Sequence, residues 1–160
     1  MKVRVLWLGR PQAGPFEAEV ERYRRRVSRR WPAVDTPLRP AAGGRDRDPR
    51  RALRLEAEAL GRCREPGWRV VALDERGRAF DSEGLARWLD ALAGGGTAGV
   101  LFALGSDLGL DPEFRAQADE RLSLGALTLP HAIARLVLWE QLYRATQILG
   151  GGAYHRVGVQ

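Results

Sequence analysis

Residues 122–156 read LSLGALTLPHAIARLVLWEQLYRATQILGGGAYHR, and this stretch decides how the C-terminal part of the chain folds. Its first residues belong to a short apolar segment, 121–124, which predicts a strand. An irregular apolar run follows, with Gly125 inside it and Pro130 at its end. Pro130 then opens the longest helical pattern of the sequence, which extends to about residue 149.

The same alternation of strand and helix fills the rest of the chain. Apolar segments predict further strands at 2–9, 34–38, 68–74 and 99–104. Periodicity and capping residues predict helices at 15–30, 50–63, 81–93 and from 111 onward. This order predicts an α/β fold with a mostly parallel sheet and helices on both faces. With 160 residues and no internal repeat or linker, we expect 1–160 to form a single domain.

The last helix carries two more local predictions. Its apolar residues predict one buried face, formed by Ile133, Leu136, Val137, Leu142 and Ile148. Glu140 and Arg144 are four residues apart, which predicts an ion pair along the helix.

The positive charge is unevenly distributed. The net charge is +6, but residues 1–70 carry 18 Lys and Arg against nine Asp and Glu, and residues 71–160 carry eight against 11. Lys2 is the only lysine, and arginine suits bidentate phosphate contacts. The asymmetry predicts a polyanionic partner for the first half of the chain. A GC-rich genome is an alternative reason for the abundance of arginine, although not for its distribution.

Several classes of protein are disfavoured by composition. No apolar run approaches the roughly 18 residues of a membrane helix, so we expect no membrane association. The first residues, MKVRVLWLG, are too short and too polar for a signal peptide. Cys63 is the only cysteine, so no intrachain disulfide can form. We therefore expect a cytoplasmic protein.

Common catalytic motifs are missing. Segment 9–14 (GRPQAG) has the glycine spacing of a phosphate loop, but Pro15 and Phe16 stand where Lys and Ser or Thr are required. Neither a GxGxxG dinucleotide motif nor a GxSxG nucleophile motif is present. One cysteine and two histidines cannot build a structural zinc site, so no metal is expected. Cys63 falls within a helical pattern, and we expect it to pack.

Three predicted strand ends stand out, because ligands of open parallel sheets bind where strands end. They are 73–77 (LDERG), 105–109 (GSDLG) and 122–130 (LSLGALTLP). Glycines permit close backbone approach to a ligand. The backbone of 122–130 needs hydrogen-bond partners, which a purine ring with an amino group would supply. The alternative is a buried strand–helix connection without ligand, which the pattern alone slightly favours.

Residues 122–156 resemble the C-terminal signature of the RlmH family of ribosomal large-subunit pseudouridine methyltransferases, of the SPOUT superfamily. Segment 73–89 and the loop after Leu104 are similar to its other two signatures, and the likeness covers essentially the whole chain. The resemblance implies an α/β fold with a C-terminal trefoil knot, and a homodimer whose active site is completed by the partner chain. It implies S-adenosylmethionine as the methyl donor. The implied acceptor is N3 of a pseudouridine in a stem-loop of 23S rRNA, within the assembled ribosome.

The resemblance also implies site residues. Its cofactor contacts fall on Leu73, Gly105, Leu124, Gly125, Ala126, Leu127, Thr128 and Leu129. Tyr154, His155 and Arg156 are expected near the target base. Arg156 would stabilise negative charge on the base and His155 would accept the N3 proton, with phosphate positioning as the alternative for both. Arg135 and Arg144 are further candidates, unless they are only packed or paired within the helix.

The sequence departs from the family pattern at three places. Ser106 stands where the family usually has a second glycine, Ala153 replaces a proline, and residues 157–160 extend past the usual end.

The arginine clusters at 22–30 and 45–54 would serve a non-catalytic RNA-binding or ribosome-associated module equally well. Such a module would not need the glycine-bearing cofactor stretch. A nucleotide-dependent enzyme of another kind is weaker still, because phosphate loops are missing.

Overall fold

The computed structural model describes residues 1–9, 16–41 and 48–151. The strands in these ranges are β1 (Lys2–Leu8), β2 (Ala33–Leu38), β3 (Trp68–Ala79), β4 (Gly99–Leu104) and β5 (Glu120–Ser123). The helices are α1 (Glu17–Val27), α2 (Pro49–Gly61), α3 (Ser82–Gly94), α4 (Pro112–Gln117) and α5 (His131–Leu149). Strands and helices alternate throughout, so the predicted order of elements is confirmed.

The five strands form one sheet in the order β2-β1-β4-β3-β5, and every neighbouring pair is parallel. The central strand β4 is buried along its whole length. Its side chains alternate between two apolar cores, with Phe102 in one and Leu101 in the other. Residues of α1, α3 and α5 join the first core, and residues of α2 and α4 join the second. Helices therefore cover both faces, as predicted for a parallel sheet.

Three aspartates fix the starts of the shorter helices. The side chain of Asp48 accepts a hydrogen bond from the backbone N–H of Arg50 at the start of α2. Asp81 caps α3 and Asp111 caps α4 in the same manner. Each carboxylate satisfies N–H groups that the first helical turn leaves without partners. The predicted starts of these three helices are therefore confirmed.

The predicted buried face of α5 is only partly confirmed. Its buried residues are Arg135, Leu138, Trp139, Leu142, Ala145 and Thr146. Of the predicted face, Leu142 is buried, Leu136 and Ile148 pack partly buried against the first core, and Ile133 is exposed. Apolar residues lie on more than one side of this helix, so periodicity alone does not select the side that packs. The Glu140–Arg144 ion pair is confirmed, with 2.8 Å between Arg144 Nη2 and Glu140 Oε1.

Strand β3 is longer than predicted, because it continues beyond residue 74 to Ala79. The register with β5 shifts between Leu73 and Arg78, both of which are aligned with Leu122. An added Cβ on Gly77 would lie 2.6 Å from the Arg121 backbone carbon, so this irregular part of β3 requires glycine. The segment predicted as a strand end at 73–77 is therefore a distorted part of the strand itself. Cys63 lies just beyond α2 and packs against the second core.

Candidate functional site

A cavity of about 620 Å³ lies where β3, β4 and β5 approach their carboxyl ends. Three segments supply most of its lining: 73–75 of β3, 104–110 after β4, and the stretch from β5 into the first turn of α5. Arg115 of α4 completes it. The volume is within the range of pockets that bind small molecules and cofactors. The position is the one that parallel sheets use for ligands.

Glycines shape two walls of this cavity. Gly105 follows β4 directly, and a Cβ there would lie 2.3 Å from the backbone carbonyl of Gly109. The loop can fold back on itself this closely only because residue 105 has no side chain. Gly109 and Gly125 have φ of +78° and +142°, which residues with side chains rarely adopt. The tight loop and the irregular stretch therefore both depend on glycine.

The stretch after β5 presents open backbone groups to the cavity. Ala126, Leu127 and Thr128 are exposed, and Leu127 retains 78% of its accessible surface. Among the described residues, their backbone N–H and C=O groups make no hydrogen bond. The stretch is therefore no buried strand–helix connection, which was the alternative from sequence. Its backbone can hold a ligand that carries both donors and acceptors.

Charged groups lie deeper in the same cavity. The Asp74 side chain is only 3% exposed, and its Oδ2 lies 3.4 Å from Arg115 Nη1 and 3.8 Å from Arg121 Nη1. Asp74 Oδ1 accepts a hydrogen bond from the backbone N–H of Arg76. The Arg115 Nε atom is buried and has no hydrogen-bond partner within the described ranges. Because buried donors are normally paired, this atom indicates a place for an acceptor on a ligand.

Two side-chain pairs connect segments around the cavity. His131 Nδ1 lies 3.0 Å from Asp107 Oδ1, which joins the start of α5 to the loop after β4. The Thr128 hydroxyl donates to Glu75 Oε2 at 3.4 Å, which joins the irregular stretch to β3. These pairs hold the three segments against one another.

Ser106 fixes the loop after β4 to a second element. Its hydroxyl donates to Glu56 Oε2 at 2.9 Å, and Glu56 is buried on α2. The other carboxylate oxygen of Glu56 accepts from the backbone N–H of Ala41 at 3.1 Å. The serine at this departure from the family pattern is thus part of a buried hydrogen-bond network.

The comparisons agree with this architecture. A family model described as "Predicted SPOUT methyltransferase" matches residues 1–155. The chain belongs to the SPOUT methyltransferase family. It is 40% identical over 159 residues to Ribosomal RNA large subunit methyltransferase H of Rhizobium meliloti (strain 1021), covering 98% of this chain and 99% of that one. The protein of the same name from Brucella anthropi is 38% identical over 161 residues, with the same coverage.

A solved structure shares the fold. The probable methylase family protein from Haemophilus influenzae Rd KW20 superposes with a TM-score of 0.55 at 13% identity. The match covers 93% of this chain and 68% of that chain. At this identity the likeness concerns the fold alone.

Most residues predicted to bind the cofactor come together in this SPOUT chain. Leu73, Gly105, Leu124, Gly125, Leu127, Thr128 and Leu129 all line the cavity. Ala126 belongs to the same exposed stretch but does not line it. Tyr154, His155 and Arg156 lie outside the described residues, as do Ala153 and 157–160. Sequence reasoning missed Arg115 and Glu56, because nothing near them in sequence indicates the cavity.

Arg135 does not line the cavity, and its guanidinium lies in a buried network. Its Nη2 donates to Asp35 Oδ2 at 2.6 Å and its Nη1 to Glu17 Oε1 at 2.6 Å. Asp35 also accepts from the indole N–H groups of Trp7 and Trp139. Burial disfavours the charged form, but the hydrogen bonds that Arg135 donates to Glu17 and Asp35 outweigh it and raise the pKa of Arg135. Arg135 thus ties α5 to β2 and α1.

Two findings bear on other expectations. The described ranges contain no group of three or more His, Cys, Asp or Glu side chains that could hold a metal ion. No helix in these ranges is both long and apolar enough to span a membrane.

Arg144 does not line the cavity either. It pairs with Glu140 along α5, which was the alternative to a role in the site that the sequence left open.

Proposed function

We propose that this chain methylates N3 of a pseudouridine in a stem-loop of 23S rRNA on the assembled ribosome, with S-adenosylmethionine as methyl donor. The observation that carries the proposal is the cavity, which collects three separate segments at the strand ends. The family membership supports methyl transfer. The relatives named Ribosomal RNA large subunit methyltransferase H support ribosomal RNA as the substrate.

The cavity residues fit S-adenosylmethionine. Open backbone groups of Leu127 and Thr128 match the donors and acceptors at the edge of an adenine ring. Leucine side chains of the lining suit its apolar faces. The unpartnered Nε of Arg115 suits a carboxylate, and the exposed carboxylate of Glu75 suits positive charge. When bound, the cofactor supplies an activated methyl group on a sulfonium, so the reaction needs no metal.

The residues of the tail would act on the acceptor. N3 of pseudouridine carries a weakly acidic proton that must leave when the methyl group arrives. We assign its acceptance to His155, directly or through water, and stabilisation of charge on the flanking carbonyl oxygens to Arg156. Tyr154 would help to position the base. Holding N3 in line with the methyl carbon is worth roughly 7–11 kcal/mol in well-oriented reactions.

A second copy of the chain belongs to this proposal. The tail would complete the cavity of the partner protomer, in a homodimer of single-domain, knotted subunits. The apolar residues of α5 that do not face the core, such as the exposed Ile133, are suited to a subunit contact. Light scattering coupled to size exclusion tests the dimer: a mass near 17.7 kDa would contradict it, and twice that mass is expected.

Titration calorimetry with S-adenosylmethionine tests the cofactor site. Leu127→Ala removes an exposed apolar side chain from the cavity wall without disturbing the core. Covering a leucine contributes about 1.5–3 kcal/mol when complete, so we expect roughly tenfold weaker binding. Leu55→Ala on α2 is the matched control, because Leu55 is exposed and lies outside the cavity. No saturable heat with the folded wild type would favour a non-catalytic RNA-binding module.

Arg156→Ala tests the role of the tail. We expect turnover on ribosomes to fall while the affinity for S-adenosylmethionine stays nearly unchanged, because Arg156 would act on the acceptor base. A loss of cofactor affinity in this variant would contradict the assignment.

A further inference from the structure

A second cleft, of about 390 Å³, lies between the end of α1 and the second half of α5. The turn that follows α1 supplies Arg29 and Arg30, and the last turn of the helix supplies Arg26. From α5 come Tyr143, Thr146 and Gln147. None of these six residues lines the cofactor cavity. We call this the arginine cleft.

Of the described residues, none that lines the arginine cleft is acidic. Arg26 and Arg29 have no carboxylate partner among the described residues, and Arg30 Nη2 lies 3.2 Å from the exposed Asp90. The neighbouring Arg24 and Arg25, by contrast, both pair with Glu21. Three cations thus converge on one cleft with a single carboxylate at its edge, which favours an anionic ligand.

Aromatic rings order two of the three guanidinium groups. Arg26 lies over the Tyr143 ring at 5.2 Å, and Arg30 lies over the Trp31 ring at 5.4 Å. Stacking occupies a face of each guanidinium and leaves its N–H edge for acceptors. Tyr143 also packs against Tyr23, with 5.7 Å between ring centroids. Because the Tyr143 ring already contacts both Arg26 and Tyr23, the cleft suits phosphate oxygens better than stacked bases.

We infer that the arginine cleft binds the phosphodiester backbone of the RNA substrate through Arg26, Arg29 and Arg30. The inference rests on the proposed function and narrows it, because it selects three residues from a long run of arginines. These contacts position the substrate without reading its sequence. The Gln147 amide can add a neutral hydrogen bond to a phosphate oxygen.

Arg29→Gln tests the inference most cleanly, since Arg29 is exposed and its side chain makes no hydrogen bond or ion pair with the residues that the structure describes. Binding of the full-length protein to purified ribosomes is measured without cofactor over a series of salt concentrations. Each lost phosphate contact lowers the slope of log K against log salt by about 0.7–0.9. At 0.1 M salt this corresponds to about five- to eightfold weaker binding. Arg62→Gln is the matched control, because Arg62 is exposed and lies outside the cleft. This substitution removes the same charge as Arg29→Gln.

Two further variants sharpen the test. Arg29→Lys keeps the charge and should recover most of the affinity. Asp90→Asn releases Arg30 from its carboxylate and should tighten ribosome binding about two- to fivefold, by restoring up to one phosphate contact. If the cleft had only a structural role, Arg29→Lys would not restore ribosome affinity and Asp90→Asn would not increase it.

The outcomes separate this inference from the proposed function. If Arg29→Gln and Arg62→Gln weakened ribosome binding equally, net charge alone would explain the effect and the inference about the cleft would be wrong. No weakening by Arg29→Gln would overturn it as well. Failure of the wild type to bind S-adenosylmethionine would overturn the proposed function, while the ribosome-binding comparison would remain interpretable.

Discussion

Replacing Gly105 with alanine tests the geometry of the cofactor cavity at one carbon atom. The new Cβ would lie 2.3 Å from the Gly109 carbonyl carbon and oxygen, and 2.7 Å from the Leu110 nitrogen. Acceptable contacts begin near 3.0–3.4 Å, so the Gly109 backbone must move by about 0.7–1.1 Å. That movement strains the hydrogen bond, 2.8 Å long, from Gly109 N–H to the Ser106 carbonyl. The wall of the cavity is displaced as a result.

We expect Gly105→Ala to weaken S-adenosylmethionine binding at least tenfold, or about 1.4 kcal/mol. Overpacking should also lower the free energy of unfolding by about 1–3 kcal/mol. Calorimetry measures the first quantity and urea unfolding the second. Gly94→Ala is the control, because a Cβ at that helical position meets no atom within 4 Å and should be neutral or stabilising. Wild-type cofactor affinity in Gly105→Ala would refute the proposed role of this loop.

Three further changes test the rest of the account. Asp35→Ala removes the buried acceptor shared by Arg135 and two indole N–H groups, and should lower the free energy of unfolding by about 3–5 kcal/mol. In thermal unfolding, each kcal/mol corresponds to a fall in Tm of about 2–4 °C. A loss below about 1 kcal/mol would contradict a stabilising role of this hydrogen-bond network. Hydrogen bonds from Arg24 and Arg25 lower the pKa of Glu21 to about 2. Glu21→Gln should therefore destabilise the protein by about 0.3–1 kcal/mol above pH 5, and this difference should shrink steadily as the pH falls toward and below 2. A constant difference in urea unfolding across this pH range would be inconsistent with the ion pairs. Ser106→Ala removes a donor from the buried Glu56 carboxylate and should cost about 1–3 kcal/mol in urea unfolding, with an unchanged midpoint as the contrary result.

The sequence predicts the architecture well because the signals are local. Asp48, Asp81 and Asp111 each precede a helix that they cap, and apolar runs mark the strands. Parallel strands bring their carboxyl ends to one edge. The convergence of Leu73 and Gly105 on one cavity follows from that rule and from the family resemblance together.

The remaining features depend on partners that are distant in sequence. Arg135 is buried because Asp35, 100 residues away, and Glu17, 118 residues away, neutralise it. No periodicity within α5 indicates this, and the predicted buried face left out the side that carries Arg135 for that reason. The extension of β3 to Ala79 likewise requires β5, whose shifted register follows from tertiary contact. The trefoil knot stays a prediction from the family.

The measurement that tests the central claim most directly is mass mapping of 23S rRNA after reaction. Ribosomes lacking the modification are incubated with the protein and S-adenosylmethionine carrying a deuterated methyl group. We predict one labelled methyl group on a pseudouridine of a large-subunit stem-loop, formed more slowly when Arg156→Ala replaces the wild type. Cofactor binding without any labelled nucleotide, or label on a uridine carbon or a ribose, would contradict the proposed reaction.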